Sequence, residues 1–172
     1  GKDDLLALDI YTGRLLWERR WPGLAHWPAA FRGPAMAVDD HRLYALEKRR
    51  CLALDPATGE ILATYAPPDL TNQEGTPKDD RIWEFLAVTD THLVGTLGRA
   101  NIKKEWWTKA YPANSVLFAI NKQTGELSWT RKLREEADTN AIAIDGAKIF
   151  IIDGLTRHPL LFRKPLKGTP PN

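Results

Sequence analysis

Ala7-Leu8-Asp9-Ile10-Tyr11-Thr12-Gly13 is the stretch that decides the fold, because the chain writes it twice more. The second copy is Ala53-Leu54-Asp55-Pro56-Ala57-Thr58-Gly59 and the third is Ala119-Ile120-Asn121-Lys122-Gln123-Thr124-Gly125. The register has no gaps. It runs Ala, an aliphatic residue, Asp or Asn, two variable residues, Thr and Gly, and then a charged residue (Arg14, Glu60 or Glu126). An Asp or Asn side chain in the third place can accept bonds from backbone N–H groups two residues on. A glycine at positive φ then closes a hairpin built on a type I turn with a bulge. Apolar runs enter each corner and a second strand leaves it, predicting strands over Asp4–Asp9 and Arg14–Arg19, Arg50–Asp55 and Glu60–Tyr65, and Ser115–Ile120 and Glu126–Arg131. The corner residues Asp9, Thr12, Gly13, Asp55, Thr58, Gly59, Asn121, Thr124 and Gly125 are therefore read as structural turns. The small Ala7, Ala53 and Ala119 imply close approach of a neighbouring strand or sheet.

A second phrase recurs between the corners. Val38-Asp39-Asp40-His41-Arg42-Leu43-Tyr44 aligns without gaps to Val88-Thr89-Asp90-Thr91-His92-Leu93-Val94 and to Ile144-Asp145-Gly146-Ala147-Lys148-Ile149-Phe150. Each reads as strand, tight turn, strand. The repeating unit thus has four strands, two around this turn and two around the acidic corner. From Asp9 to Asp55 is 46 residues, close to one four-stranded propeller blade. The expected organisation is all-β, a partial β-propeller over residues 1–164: a half blade at 1–20, a blade at 35–66, a blade at 82–132 and a partial blade at 138–164, with 165–172 as tail or linker. Unit four has strands at Asn140–Ile144 and Lys148–Ile152, a candidate at Leu160–Arg163, and no corner of its own. The aliphatic runs Ala141–Ile144 and Ile149–Ile152 predict strands covered on both faces. Pro- and Gly-bearing stretches at Trp21–Pro34 and Pro67–Arg81 read as surface connections.

Composition sets outer bounds on function. The 172 residues are 43% hydrophobic and 27% charged, with seven Trp and a net charge of +2. Near-neutral charge gives no footprint for nucleic acid, and basic doublets near strand ends read as solvated rims. No stretch is long and apolar enough to span a bilayer. The single cysteine, Cys51, lies in an apolar run and reads as a buried, inert thiol. The chain opens on Gly and not Met, with a repeat strand already under way at Asp4, so we expect it to be cut from a longer protein that supplies the remaining blades.

Catalytic patterns are sparse. His26, His41, His92 and His158 lack metal-ligand spacing. No Gly-rich phosphate loop follows a strand, and Gly-x-Ser-x-Gly is absent. The carboxylate pairs Asp39-Asp40 and Asp79-Asp80 read as turn and loop pairs. The insertion Arg99–Asn114 stands apart, because it sets Trp106 and Trp107 among Lys103, Lys104 and Lys109, with Tyr111 close by. These six residues are the candidate binding site for a peptide, glycan or partner protein. The competing reading has the loop fold back and bury one or both Trp on the propeller face.

The phrase Leu-x-Ala-Leu-Asp-x-x-Thr-Gly-x-x-x-Trp, best seen over Leu6–Trp17 and Phe118–Trp129, resembles the repeat of the pyrroloquinoline quinone (PQQ) family of β-propellers. The resemblance implies that Trp17 and Trp129 dock against the neighbouring blade, and that Ala63, in the corresponding place of unit two, marks a weaker or differently packed junction. It also implies three classes of function, the weakest being a propeller that flanks an unrelated catalytic domain elsewhere in the polypeptide. The first, favoured here, is a non-catalytic propeller module that binds a protein or ligand, with no cofactor of its own. The alternative is a fragment of a PQQ- and calcium-dependent alcohol or sugar dehydrogenase, whose active site would lie mostly in other sequence. The adjacent cysteine pair of the alcohol dehydrogenases has no counterpart, and no carboxylate–Asn cluster stands out. By resemblance the protein is bacterial and exported, periplasmic or extracellular.

Overall fold

The computed structural model describes residues 4–21, 35–47, 49–69, 81–99 and 114–153, and among them every regular element is a strand. The strands are β1 (Asp4–Leu8), β2 (Leu15–Arg20), β3 (Met36–Val38), β4 (Leu43–Glu47), β5 (Arg50–Leu54), β6 (Ile61–Tyr65), β7 (Arg81–Val88), β8 (His92–Arg99), β9 (Asn114–Asn121), β10 (Leu127–Asp145) and β11 (Lys148–Asp153). All pairing is antiparallel between sequence neighbours, giving sheets β1-β2, β3-β4-β5-β6 and β7-β8-β9-β10-β11. This is a partial propeller.

Each corner folds for the reason its residues supply. Asp9 Oδ1 accepts from the N–H groups of Tyr11 and Thr12, Asp55 Oδ1 from Ala57 and Thr58, and Asn121 Oδ1 from Gln123 and Thr124. Thr12, Thr58 and Thr124 hydroxyls each accept from the N–H two residues on. Gly13, Gly59 and Gly125 have φ of 68°, 73° and 76°, the left-handed region that glycine enters without a Cβ clash. A register shift follows each corner, so the three hairpins are turn plus bulge.

Two apolar clusters lie between successive sheets, and a third lies within the five-stranded sheet, between β7–β9 and the β10–β11 hairpin. Trp17, Leu5 and Trp21 from β1-β2 pack with Leu43, Leu52 and Leu54 of the next sheet. Tyr44, Leu46 and Tyr65 pack with Trp83, Leu93 and Phe118 of the third. Phe85, Val94 and Ala119 pack with Ile142, Ile144 and Ile149 from β10 and β11. Ala53 and Ala119, from the repeated phrase, are fully buried at such contacts.

Two strands depart from the sequence expectation. Glu126–Arg131 and Asn140–Ile144 are not separate strands, because β10 runs unbroken from Leu127 to Asp145. It pairs with β9 as far as Lys132 and with β11 from Ile142, and Ala137 sits opposite both Asn114 and Asp153 where the registers shift. Leu133, Ala137 and Thr139 are buried at a period of two, so the polar stretch between the two expected strands is itself extended and half covered. β11 is not covered on both faces, since Phe150 and Ile152 are 55% and 60% exposed.

Candidate functional site

Two features of the described residues combine polar groups with concavity: the junctions between sheets, and a cleft at the end of the third sheet. The first junction is built by one face of β2 and the residue after it. Trp17 Nε1 donates to the Pro56 carbonyl at 2.9 Å, Arg19 Nη1 to the Gly59 carbonyl at 3.1 Å and Trp21 Nε1 to the Leu46 carbonyl at 3.0 Å. The two-residue period of a strand sets all three on one side. The Trp17 ring lies across Gly59, where an added Cβ would stand 2.9 Å from Cε3.

The second junction uses the same acceptor with a different donor. Pro56 and Lys122 occupy equivalent places, one residue past the acidic corner. With Ala63 where Trp17 and Trp129 stand in the other units, it is Tyr65, two residues further on the same face, whose hydroxyl donates to the Lys122 carbonyl at 2.6 Å. Lys122 Nζ also meets Asp39 Oδ2 at 2.6 Å, with both side chains largely covered. Asp39 accepts in addition from the N–H groups of His41 and Arg42 and from the Tyr44 hydroxyl. Burial raises the Asp39 carboxyl, but the Lys122 ammonium and these donors outweigh it and hold it down at about 2. Burial, and then the Asp39 carboxylate, push the Tyr44 phenol up. Asp39 and Tyr65 were not singled out from the sequence. The available signal was position: Tyr65 shares a strand face with Ala63, and Asp39 opens a turn that faces the next corner.

The cleft has a volume of about 720 Å³ and lies between the Val88–Val94 turn, Trp129 of β10 and the β10–β11 hairpin, where Ile144, Gly146 and Ile149 line it. Trp129 is 38% exposed and Ser128 beside it bonds His92 Nε2 at 3.0 Å. Asp90, Thr91 and the Trp129 indole give the cleft a polar rim on an apolar floor.

The six candidate binding residues, Lys103, Lys104, Trp106, Trp107, Lys109 and Tyr111, lie outside the described residues, as does the candidate strand Leu160–Arg163. Cys51 is fully buried, and burial pushes its thiol up to about 12. Among the described residues no group of three or more His, Cys, Asp or Glu could hold a metal ion. No helix among the described residues is long and apolar enough to cross a membrane.

No curated protein sequence matches the chain. Among solved structures, BamB from Moraxella catarrhalis is 18% identical with a TM-score of 0.46 over 76% of this chain. The quinohemoprotein alcohol dehydrogenase from Comamonas testosteroni is 16% identical with a TM-score of 0.48 over 76% of this chain. The chain covers 35% of the first structure and 18% of the second, so it spans a minor part of either length. A family model described as "Outer membrane protein assembly factor BamB", built on the PQQ repeat, matches residues 1–156, and the chain belongs to that family of PQQ-repeat β-propellers.

Proposed function

We propose that this chain is a non-catalytic propeller module, a scaffold that presents loops and blade edges to a protein or ligand partner. The observation that carries the reading is where the polar side chains go. Asp9, Asp55 and Asn121 hold corners, Asp39 and Lys122 tie two sheets, and His92 bonds Ser128. Groups committed to holding backbone are poor acids, bases or ligands, because using them would release the fold's own bonds. The family description names outer membrane protein assembly, which favours a protein partner over a redox substrate. We extend that setting to this chain as an exported protein of a bacterial cell envelope. Within the reading, the insertion bearing Lys103, Lys104, Trp106, Trp107, Lys109 and Tyr111 supplies specificity, and the remaining blades of the polypeptide are its structural partners.

The test is a titration of the chain with PQQ in the presence of calcium, followed by tryptophan fluorescence and quinone absorbance. The scaffold reading predicts no saturable change. Calcium-dependent, stoichiometric binding would overturn it in favour of a dehydrogenase fragment.

A further inference from the structure

The tip of the first corner carries the two most exposed large apolar side chains of the described residues. Ile10 is 89% and Tyr11 94% exposed. The equivalent places hold Pro56 and Ala57 on the second corner and Lys122 and Gln123 on the third, so the other tips are small or polar. The exposure belongs to the position in the corner and does not depend on what stands before β1. Pro56, Ala57 and Gln123 are exposed as well, although Trp17 is seated on the second corner and Tyr65 on the third. Apolar residues scattered singly over a surface are ordinary, whereas adjacent ones at the tip of a turn mark a contact.

The pair stands on a braced backbone. Asp9 Oδ1 accepts from the Tyr11 N–H at 3.1 Å and from the N–H and hydroxyl of Thr12, both at 2.8 Å. The Gly13 N–H donates to the Asp9 carbonyl at 2.8 Å. A contact made on such a tip orders little further chain, which favours affinity. Tyr in particular offers a large, stiff, apolar ring with a polar end.

Charge at this end gives the sign of what would fit. The acidic corners and the turns between first and second strands come together there: the Lys122 N–H donates to the Thr91 carbonyl at 3.0 Å, and Lys122 Nζ meets Asp39 of the second sheet at 2.6 Å. The corners 9–14, 55–60 and 121–126 and the turns 39–42, 89–92 and 145–148 hold eight Asp or Glu against four Lys or Arg. That is an excess of four negative charges in a chain whose formal net charge is +2. Asp40, Glu60, Asp90, Glu126 and Asp145 are exposed. An apolar tip at an acidic end is complementary to a surface that combines cations with apolar side chains.

We propose, resting on the scaffold reading, that the corner end of the blades docks a basic amphipathic protein segment. Its apolar side chains pack on Ile10 and Tyr11, and its Lys or Arg side chains lie over the exposed carboxylates. This surface is separate from the insertion, because β8 ends and β9 begins at the opposite end of their sheet.

The test uses the full 172-residue chain and three fluorescein-labelled peptides, alternating leucine with lysine, leucine with glutamate, and serine with lysine. Anisotropy should show saturable binding of the leucine–lysine peptide and none of the leucine–glutamate peptide. The serine–lysine peptide should bind about tenfold or more weakly, and so should the leucine–lysine peptide to a chain with Ile10→Ser and Tyr11→Ser. Circular dichroism of that variant should match the parent, since both side chains are exposed. Gln123→Ser, at the place equivalent to Tyr11, should leave binding unchanged. Equal binding by the double variant, equal binding of the glutamate peptide, or the same loss in Gln123→Ser would each overturn the proposal. It would also fall if Ile10 and Tyr11 proved to drive self-association in sedimentation or binding to phosphatidylglycerol vesicles, because the occupant would then be a second copy or a lipid surface. None of these outcomes touches the scaffold reading, which fails on calcium-dependent binding of the quinone.

Discussion

Trp17 lies flat across Gly59, with ring atoms Cε3, Cδ2 and Cζ3 at 2.9, 3.0 and 3.2 Å from where a Cβ on that glycine would stand. The glycine therefore serves twice, once for its φ of 73° and once for the space it leaves to the ring. Gly13 has nearly the same backbone, and no atom of the described residues lies within 4 Å of where its Cβ would stand. Replacing each by Ala separates the two roles. Gly13→Ala should destabilise by about 1 kcal/mol, the strain of a left-handed non-glycine residue. Gly59→Ala should cost about 2 kcal/mol or more, because the ring must also move. Urea melts of both variants check the ordering, and equal losses would contradict it.

The Tyr65 hydroxyl gives the second junction its own prediction. Tyr65→Phe removes the bond to the Lys122 carbonyl and should lose about 1 kcal/mol. The same change at Tyr11, which is 94% exposed, should lose nothing measurable. Equilibrium unfolding of the pair decides.

Asp39 makes that junction sensitive to acid. Its folded carboxyl titrates near 2, below the ordinary value of about 4 in an unfolded chain. A depressed folded value means the stabilisation is complete above about pH 4 and is lost as pH falls toward 2. Asp39→Asn should flatten this part of the stability curve and cost on the order of 1 kcal/mol at neutral pH, the range of a partly exposed ion pair. Thermal melts from pH 6 to pH 2 measure it, and a variant that keeps the full acid loss would place its cause elsewhere.

Cys51 should stay silent toward thiol reagents between pH 7 and pH 9 in the folded chain. It is fully buried, its thiol is pushed up to about 12, and only the thiolate reacts. Reaction with an aromatic disulfide should track unfolding. Rapid modification in native buffer would show that this strand opens independently.

Within the proposed function, Trp106→Ala with Trp107→Ala should weaken capture of a bound partner by about tenfold or more, while leaving the unfolding midpoint within error. Unchanged binding would remove the insertion from the site.

What could be read from the sequence follows from which physics is local. An acidic corner, its Thr and its Gly form bonds within five residues, so three copies announced three hairpins at their true positions. Junction chemistry is not local. Tyr65 contacts Lys122 across 57 residues, and Asp39 reaches it across 83. Nothing in a turn of two aspartates says which one will meet a lysine from another sheet. Trp21 was similarly hidden, because Trp21-Pro22-Gly23 reads as a connection, yet the indole is fully buried on the Leu46 carbonyl. The middle of β10 escaped for another reason. Among its described side chains the covered ones are Leu133, Ala137 and Thr139, and one leucine followed by a small and a polar residue makes no apolar stripe to see.

The stacking of blades depends on the fourth strand of one sheet resting on the corner of the next. The most direct measurement is a nuclear Overhauser spectrum of the full chain with the Trp17 indole assigned. The structure predicts strong cross-peaks from the Trp17 ring protons to the Gly59 α-protons, with the indole N–H protected from exchange by the Pro56 carbonyl. A Trp17 ring whose contacts stay within its own hairpin, with a freely exchanging N–H, would contradict the side-by-side stacking of blades.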